Sequence, residues 1–212
     1  MIALVLLLVS CAADAGGYGV AARTEAAAPA PAGKEVAIFA SGCFWCSESD
    51  FEKAAGVLQV ESGYIGGTVE HPRYEDVGAG RTGHTEAVRV VYDPGITSYT
   101  AMLDWYWTHV DPFDGKGQFC DRGSQYRPAI FPIDAAQRAA AESSKAAIGK
   151  RAPQPIAVTI EPTATFWVAE SYHQDFYKTN PGRYSTYRAG CGRDRRIAEV
   201  NAMLAPGGAA VH

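Results

Sequence analysis

Cys43 and Cys46 form a Cys-x-x-Cys pair where an apolar strand pattern, Glu35 to Ala40, is broken by Ser41-Gly42 and a helical pattern, Cys43 to Lys53, begins. A thiol at a helix N-terminus faces unpaired backbone N–H groups and the positive end of the helix dipole, both of which favour thiolate. Gly42 allows the chain to turn sharply and leaves room for a ligand beside the sulfur. Two cysteines one helical turn apart can close a disulfide. The chemistry this permits is nucleophilic attack by sulfur or thiol–disulfide exchange. Two small buried hydrophobes would look the same, and the spacing alone does not separate these readings. Tetrahedral zinc would need a second tight pair, and the chain offers only Cys120, Cys191 and scattered His71, His84, His109 and His173; no metal site is expected.

Other residues could complete a thiol site. Glu86, in Gly83-His84-Thr85-Glu86-Ala87, stands at the mouth of an apolar strand. A carboxylate entering such surroundings has its pKa raised and can carry a proton near neutral pH, whereas a strand-end glutamate in solvent would not. Tyr74 and Tyr126 read as core aromatics with satisfied hydroxyls. Asp121 lies five residues before Tyr126 in a Gly-rich loop and reads as a turn residue.

The elements that must position these groups alternate irregularly. Strands are predicted at Val57 to Tyr64, Thr85 to Tyr92, Arg127 to Phe131 and Ile156 to Ile160, and helices at Tyr99 to His109, Ala135 to Gly149 and around Glu170 to Lys178. The order implies one α+β domain of two layers, a mixed β-sheet with packed helices and long irregular loops. The loop from Asp111 to Gln125 is longer than compact domains usually allow without purpose, which marks it as functional. With 47% hydrophobic residues in 212 and a net charge of -4, the chain can bury a substantial core and has no basic surface that would suggest nucleic acid.

The N-terminus is separate. Ile2 to Val9 is an apolar run too short to span a bilayer as a helix, and residues 1–10 read as a secretory signal segment, although no Lys or Arg precedes the run. Leu8-Val9-Ser10-Cys11 resembles a bacterial lipobox, which makes Cys11 a lipidation candidate. Residues 11–33 are rich in Ala, Gly and Pro and are expected to form a flexible tether. The folded domain is then placed at 34–204, followed by a tail at 205–212. These features imply an exported chain, periplasmic or lipid-anchored at the cell envelope.

Read together, Gly-Cys-Phe-Trp-Cys at Gly42 to Cys46, Ser-Gly-Tyr-Ile-Gly-Gly at Ser62 to Gly67, Gly-His-Thr-Glu-Ala-Val at Gly83 to Val88, Gln118 to Arg127 and Glu170 to Gln174 resemble the A-type methionine sulfoxide reductase family. The resemblance runs from about Val36 to Arg196. It implies a ferredoxin-like core, no cofactor, and reduction of the S epimer of methionine sulfoxide, free or in proteins. By the same resemblance Cys43 is the nucleophile and Glu86 the acid, with Tyr74 and Tyr126 donating to the sulfoxide oxygen. Phe44 and Trp45 wall the methyl pocket, and Asp121 and His84 belong to substrate binding. A second thiol would condense with the sulfenic acid on Cys43, and a thioredoxin-like dithiol would reduce the disulfide. Many family members have Gly at the position of Cys46 and recycle through C-terminal cysteines, so Cys46, preferred for its proximity, and Cys191 are both candidates. Cys120 would pack beside the pocket. A monomer satisfies all of this. Two rival readings each rest on a single motif: an exported thiol–disulfide oxidoreductase, which needs no Glu86, and a tethered binding module with a Cys43–Cys46 disulfide.

Overall fold

A computed structural model describes residues 24–205. The signal segment, Cys11 and the tail beyond Ala205 lie outside the described residues. The elements in chain order are β1 (Glu25–Ala26), β2 (Glu35–Ala40), α1 (Phe44–Phe51), β3 (Val57–Ile65), α2 (Tyr74–Gly78), β4 (Thr85–Tyr92), α3 (Tyr99–Trp107), β5 (Gly117–Gln118), β6 (Asp121–Arg122), β7 (Ala129–Ile130), α4 (Ala135–Gly149), β8 (Thr159–Ile160), β9 (Trp167–Val168), α5 (Phe176–Thr179), α6 (Pro181–Gly190) and α7 (Arg193–Leu204). Seven strands form one sheet in the order β1-β9-β3-β4-β2-β7-β8, and β5 and β6 form a separate hairpin. Within the large sheet, β2-α1-β3-β4-α3-β7 is the split β-α-β pattern of a ferredoxin-like core, with α4 following β7. The parallel pairing of β7 with β8 makes the sheet mixed.

The apolar pattern explains the layers. Ala37 and Phe39 of β2 and Val88 and Val90 of β4 point to one face, where they meet Phe51 of α1, Leu103 and Tyr106 of α3, Ala141 of α4 and Val200 of α7. Phe39 stacks on Phe51 and Tyr106 at centroid distances of 5.0 and 5.1 Å. Caps fix the helix starts: Ser98 accepts from the Ala101 N–H and Asp134 from the Gln137 N–H.

The opposite face carries Val36, Ile38, Ala40, Ala87, Val91 and Phe131 and needs cover of its own. Residues assigned from sequence to the tether supply part of it. β1 pairs with β9, Ala27 and Ala30 pack on this face, and Arg89 donates to the Ala28 carbonyl at 2.7 Å. Ala-rich composition resembles linker, but small side chains also lie flat on a sheet, and the paired backbone holds Thr24 to Ala30 in place. The predicted strands 127–131 and 156–160 shorten to two residues each, and the predicted helix 170–178 is a 3-10 turn at Ser171–His173 followed by α5. The C-terminal helices α6 and α7 had no sequence prediction.

Candidate active site

The turn from β2 into α1 is built around Gly42. Its φ is +85°, and a Cβ there would lie 2.5 Å from the Gln118 side chain, so only glycine fits both the backbone and the space. Gln118 is itself locked by hydrogen bonds to the backbone N–H and carbonyl of Asp111, which anchors the long loop beneath this turn. Cys43 takes the N-cap position of α1, yet its side chain caps no N–H. The Phe44 N–H donates instead to Glu86 Oε2 at 3.0 Å. The helix terminus therefore serves the carboxyl and not the sulfur, which corrects the expectation from sequence.

Glu86 reaches this point from β4, buried to 2% exposure. Burial pushes it up to about 8 against the Phe44 hydrogen bond, and Asp121 and Cys46 add to the rise. At neutral pH it is a carboxylic acid, with one oxygen fixed by the backbone and the other left to hold the proton. The loop above it is tied down by Thr85 Oγ1, which donates to the Gln125 carbonyl at 3.1 Å. That contact sets Tyr126 beside Glu86. Tyr74 starts α2, and its N–H donates to Glu170, which also accepts from Tyr64 OH at 2.8 Å. Burial and the neighbouring Glu86 push Tyr74 up to about 12, and Tyr126 rises for the same reasons. Both hydroxyls are thus held as O–H donors, without a hydrogen-bond partner among the described residues.

Cys43 and Cys46 are free, buried thiols. Burial pushes the Cys43 thiol well up, and its interaction with Cys46 adds to this. The hydrogen bond from Cys43 brings Cys46 down to about 7 despite burial, with help from Arg193 and Arg188. Burial thus keeps Cys43 protonated, and the hydrogen bond between the two thiols favours ionisation at Cys46. Phe44 is buried between Tyr64 and His173, while half-buried Trp45 stacks on Phe176 at 3.7 Å and donates to His173 Nδ1 at 3.0 Å. Asp121 faces the same space and accepts from Tyr187 OH.

A family model described as peptide methionine sulfoxide reductase matches residues 35–203. The chain belongs to the peptide methionine sulfoxide reductase family. A family member from Caulobacter vibrioides is 49% identical over 187 residues, covering 88% of this chain and 94% of its own. One from Ligilactobacillus salivarius is 51% identical over 164 residues, covering 76% and 95%. Among solved structures, methionine sulfoxide reductase A of Corynebacterium diphtheriae superposes with a TM-score of 0.65 at 30% identity, covering 71% of this chain and 77% of that one. The reduced form of Mxr1 from Saccharomyces cerevisiae gives 0.67 at 27% identity, covering 75% and 91%.

As a peptide methionine sulfoxide reductase the chain is an enzyme, and its site has members that sequence reasoning did not name. Cys191 is bonded to Cys120 across 71 residues, joining the end of α6 to the β5–β6 turn. In this state the sulfur of one resolving candidate is already committed, and the other, Cys46, is free. Tyr187, Glu170 and His173 complete the walls. Tyr187 was legible in principle, since it stands four residues before Cys191 and shares a helix face with it. His84 is not brought to the sulfur by any hydrogen bond. It is buried against Gly67, where a Cβ would meet its Nδ1 at 2.2 Å, and so it braces the turn after β3.

Glu48 of α1 is a buried acid beneath the site. It accepts from the Asp175 N–H at 3.0 Å and from Ser62 Oγ at 3.3 Å, yet burial pushes it up from an ordinary 4.5 to about 7. The folded state therefore holds this proton more tightly than the unfolded chain does, so stability falls as pH rises from about 4.5 to about 7. Glu48→Gln keeps an acceptor for Asp175 and removes the charge. It is expected to stabilise the fold by roughly 1–2 kcal/mol at pH 8 and by almost nothing at pH 4. Thermal unfolding at both pH values checks this; a gain independent of pH would point to packing instead.

Proposed function

We propose that this enzyme reduces the S epimer of methionine sulfoxide, free or in proteins, with Cys43 as nucleophile, Glu86 as acid and Cys46 as the resolving thiol. The observation that carries the reading is a protonated buried carboxyl and two unpartnered tyrosine hydroxyls beside a buried thiol pair. A sulfoxide sulfur is a poor electrophile until its oxygen receives a proton or strong donors. Cys43 sulfur attacks, its proton passes to Cys46, and the sulfoxide oxygen takes the Glu86 proton. Methionine leaves, and Cys43 carries the oxygen as a sulfenic acid. Cys46 sulfur then attacks Cys43, the S–O bond breaks, and the oxygen leaves as water with the proton Cys46 had received. A thioredoxin-like dithiol reduces the disulfide, and one of the two returned protons restores Glu86. A disulfide oxidoreductase would have no use for Glu86 in this state.

Turnover of the two separated epimers with dithiothreitol tests the reading. Reduction of the S epimer alone is expected, and reduction of neither by folded protein would overturn it. For recycling, Cys46→Ser is expected to stop after one methionine per chain with thioredoxin as reductant, whereas Cys191→Ser continues. The reverse pattern would make Cys191 the resolving thiol. The apolar run at 2–9 and the Leu-Val-Ser-Cys tetrad support export, with Cys11 as a lipid anchor to the envelope and a monomeric catalytic domain at its end. Acyl mass on Cys11 of the mature chain is the expected result.

A further inference from the structure

Cys46 sits on α1 one turn before Asp50, so the two side chains share a helix face. Asp50 is buried to 2% exposure and is gripped from the C-terminal helices: Arg188 Nη1 lies 2.9 Å from one carboxylate oxygen and Arg193 Nη2 3.1 Å from the other. Arg193 is buried as deeply as Asp50. It also donates to the carbonyls of Ser41 at 3.0 Å and His109 at 2.9 Å, and its guanidinium lies 4.5 Å from the Phe119 ring centroid. Asp194 also pairs with Arg188, at 2.5 Å, so the two guanidiniums meet two carboxylates, but of these only Asp50 is buried. Lys53 at 3.8 Å adds a third cation at the rim. A buried excess charge is costly unless an opposite charge lies close by.

We propose that Arg188 and Arg193, docked on Asp50 one turn beneath Cys46, supply the positive field that makes Cys46 the attacking sulfur of the resolving step. This rests on the reading of Cys46 as the resolving thiol and assigns its activation to residues outside the substrate pocket. The other groups that face Cys46 do not supply that field. Cys43 is a neutral hydrogen-bond partner, Asp50 opposes its ionisation, Glu86 is raised towards its neutral form, and Tyr184 and Tyr187 from α6 are neutral phenols. Asp121 also feels Arg193, but burial raises it and Tyr187 OH occupies it. The depressed pKa of Cys46 agrees in sign with the geometry. The Cys120–Cys191 disulfide ties the junction of α6 and α7 to the β5–β6 turn, three residues from Arg188 and two from Arg193, and so holds both positioning residues in place.

In the step itself, Cys46 sulfur bonds to Cys43 sulfur, the sulfenic S–O bond breaks, and water leaves; the two electrons that reduced the sulfoxide have come from the two thiols. The test follows the Cys46 ionisation midpoint by NMR of 13Cβ-labelled cysteine in the full chain, together with disulfide closure in a single turnover. Arg188→Met is expected to raise the midpoint by about one unit, which slows closure roughly five-fold at pH 7, with the ratio to wild type returning towards one by pH 9. Arg188→Lys restores most of it. Asp50→Asn, which removes the opposing charge, is expected to shift the midpoint the other way. A structural role would give neither opposite signs nor recovery with pH. Midpoints unchanged in both variants, or shifted in one direction by both, would overturn the proposal. A Cys46→Ser chain that still closes a disulfide on Cys43 would instead overturn the resolving role on which it rests.

Discussion

Replacing Cys43 with serine is expected to lower turnover of methionine S-sulfoxide by more than about 10³-fold while leaving the fold intact. The size follows from what is left behind. Serine at this position has no neighbouring base strong enough to ionise it, and its oxygen could not accept the sulfoxide oxygen as a stable oxidised state in the way sulfur does. Cys46 cannot take over, because it lies on the third residue of α1 at 2% exposure. The fold should tolerate the change, since the Cys43 side chain caps no N–H of α1 and the turn depends on Gly42 and on the Ser41–Ser47 hydrogen bond at 2.7 Å. Initial rates with dithiothreitol, compared with a single turnover without reductant, are the measurement. Wild type should release one methionine per chain in the single turnover, and the variant none. Retention of a tenth or more of the rate would remove Cys43 from the chemistry.

Much of this site was legible because its parts are local. The strand–Gly42–Cys43–helix unit, the strand leading out of Glu86 and the helix Ala135 to Gly149 follow from patterns a few residues long, and the structure has all three. The state of the sulfur was not legible. A helix N-terminus does favour an anion, but sequence does not say which anion takes it, and here the Phe44 N–H is claimed by Glu86 from 42 residues away. The same limit hid the Cys120–Cys191 pairing. The Phe119 backbone at φ +56° turns the hairpin so that Cys120 meets Cys191, which caps the end of α6, a helix with few aliphatic residues. Residues 24–30 of the expected tether differ for a related reason: Ala-rich composition does not distinguish a linker from a strip laid over an apolar sheet face.

Glu86→Gln carries the second large effect and separates proton transfer from mere hydrogen bonding. The amide keeps an acceptor oxygen for the Phe44 N–H and offers an N–H where the carboxyl held its proton, so the geometry of the site should survive. It cannot transfer the proton. The expected loss in kcat/KM is about 10²–10⁴-fold, the range for a positioned general acid. The pH profile gives the sharper check. Because burial raises Glu86 to about 8, the wild-type rate should hold at neutral pH and fall as pH rises through about 8, where the carboxyl loses the proton it must give. The sign is that of an acid whose charged form is disfavoured in the folded protein, opposite to a residue acting as carboxylate base. In Glu86→Gln that alkaline limb should disappear while the low residual rate still depends on Cys43. If the limb persists unchanged in the variant, the group titrating near 8 is not Glu86, and the thiol pair, whose first proton leaves near 7, becomes the one to examine.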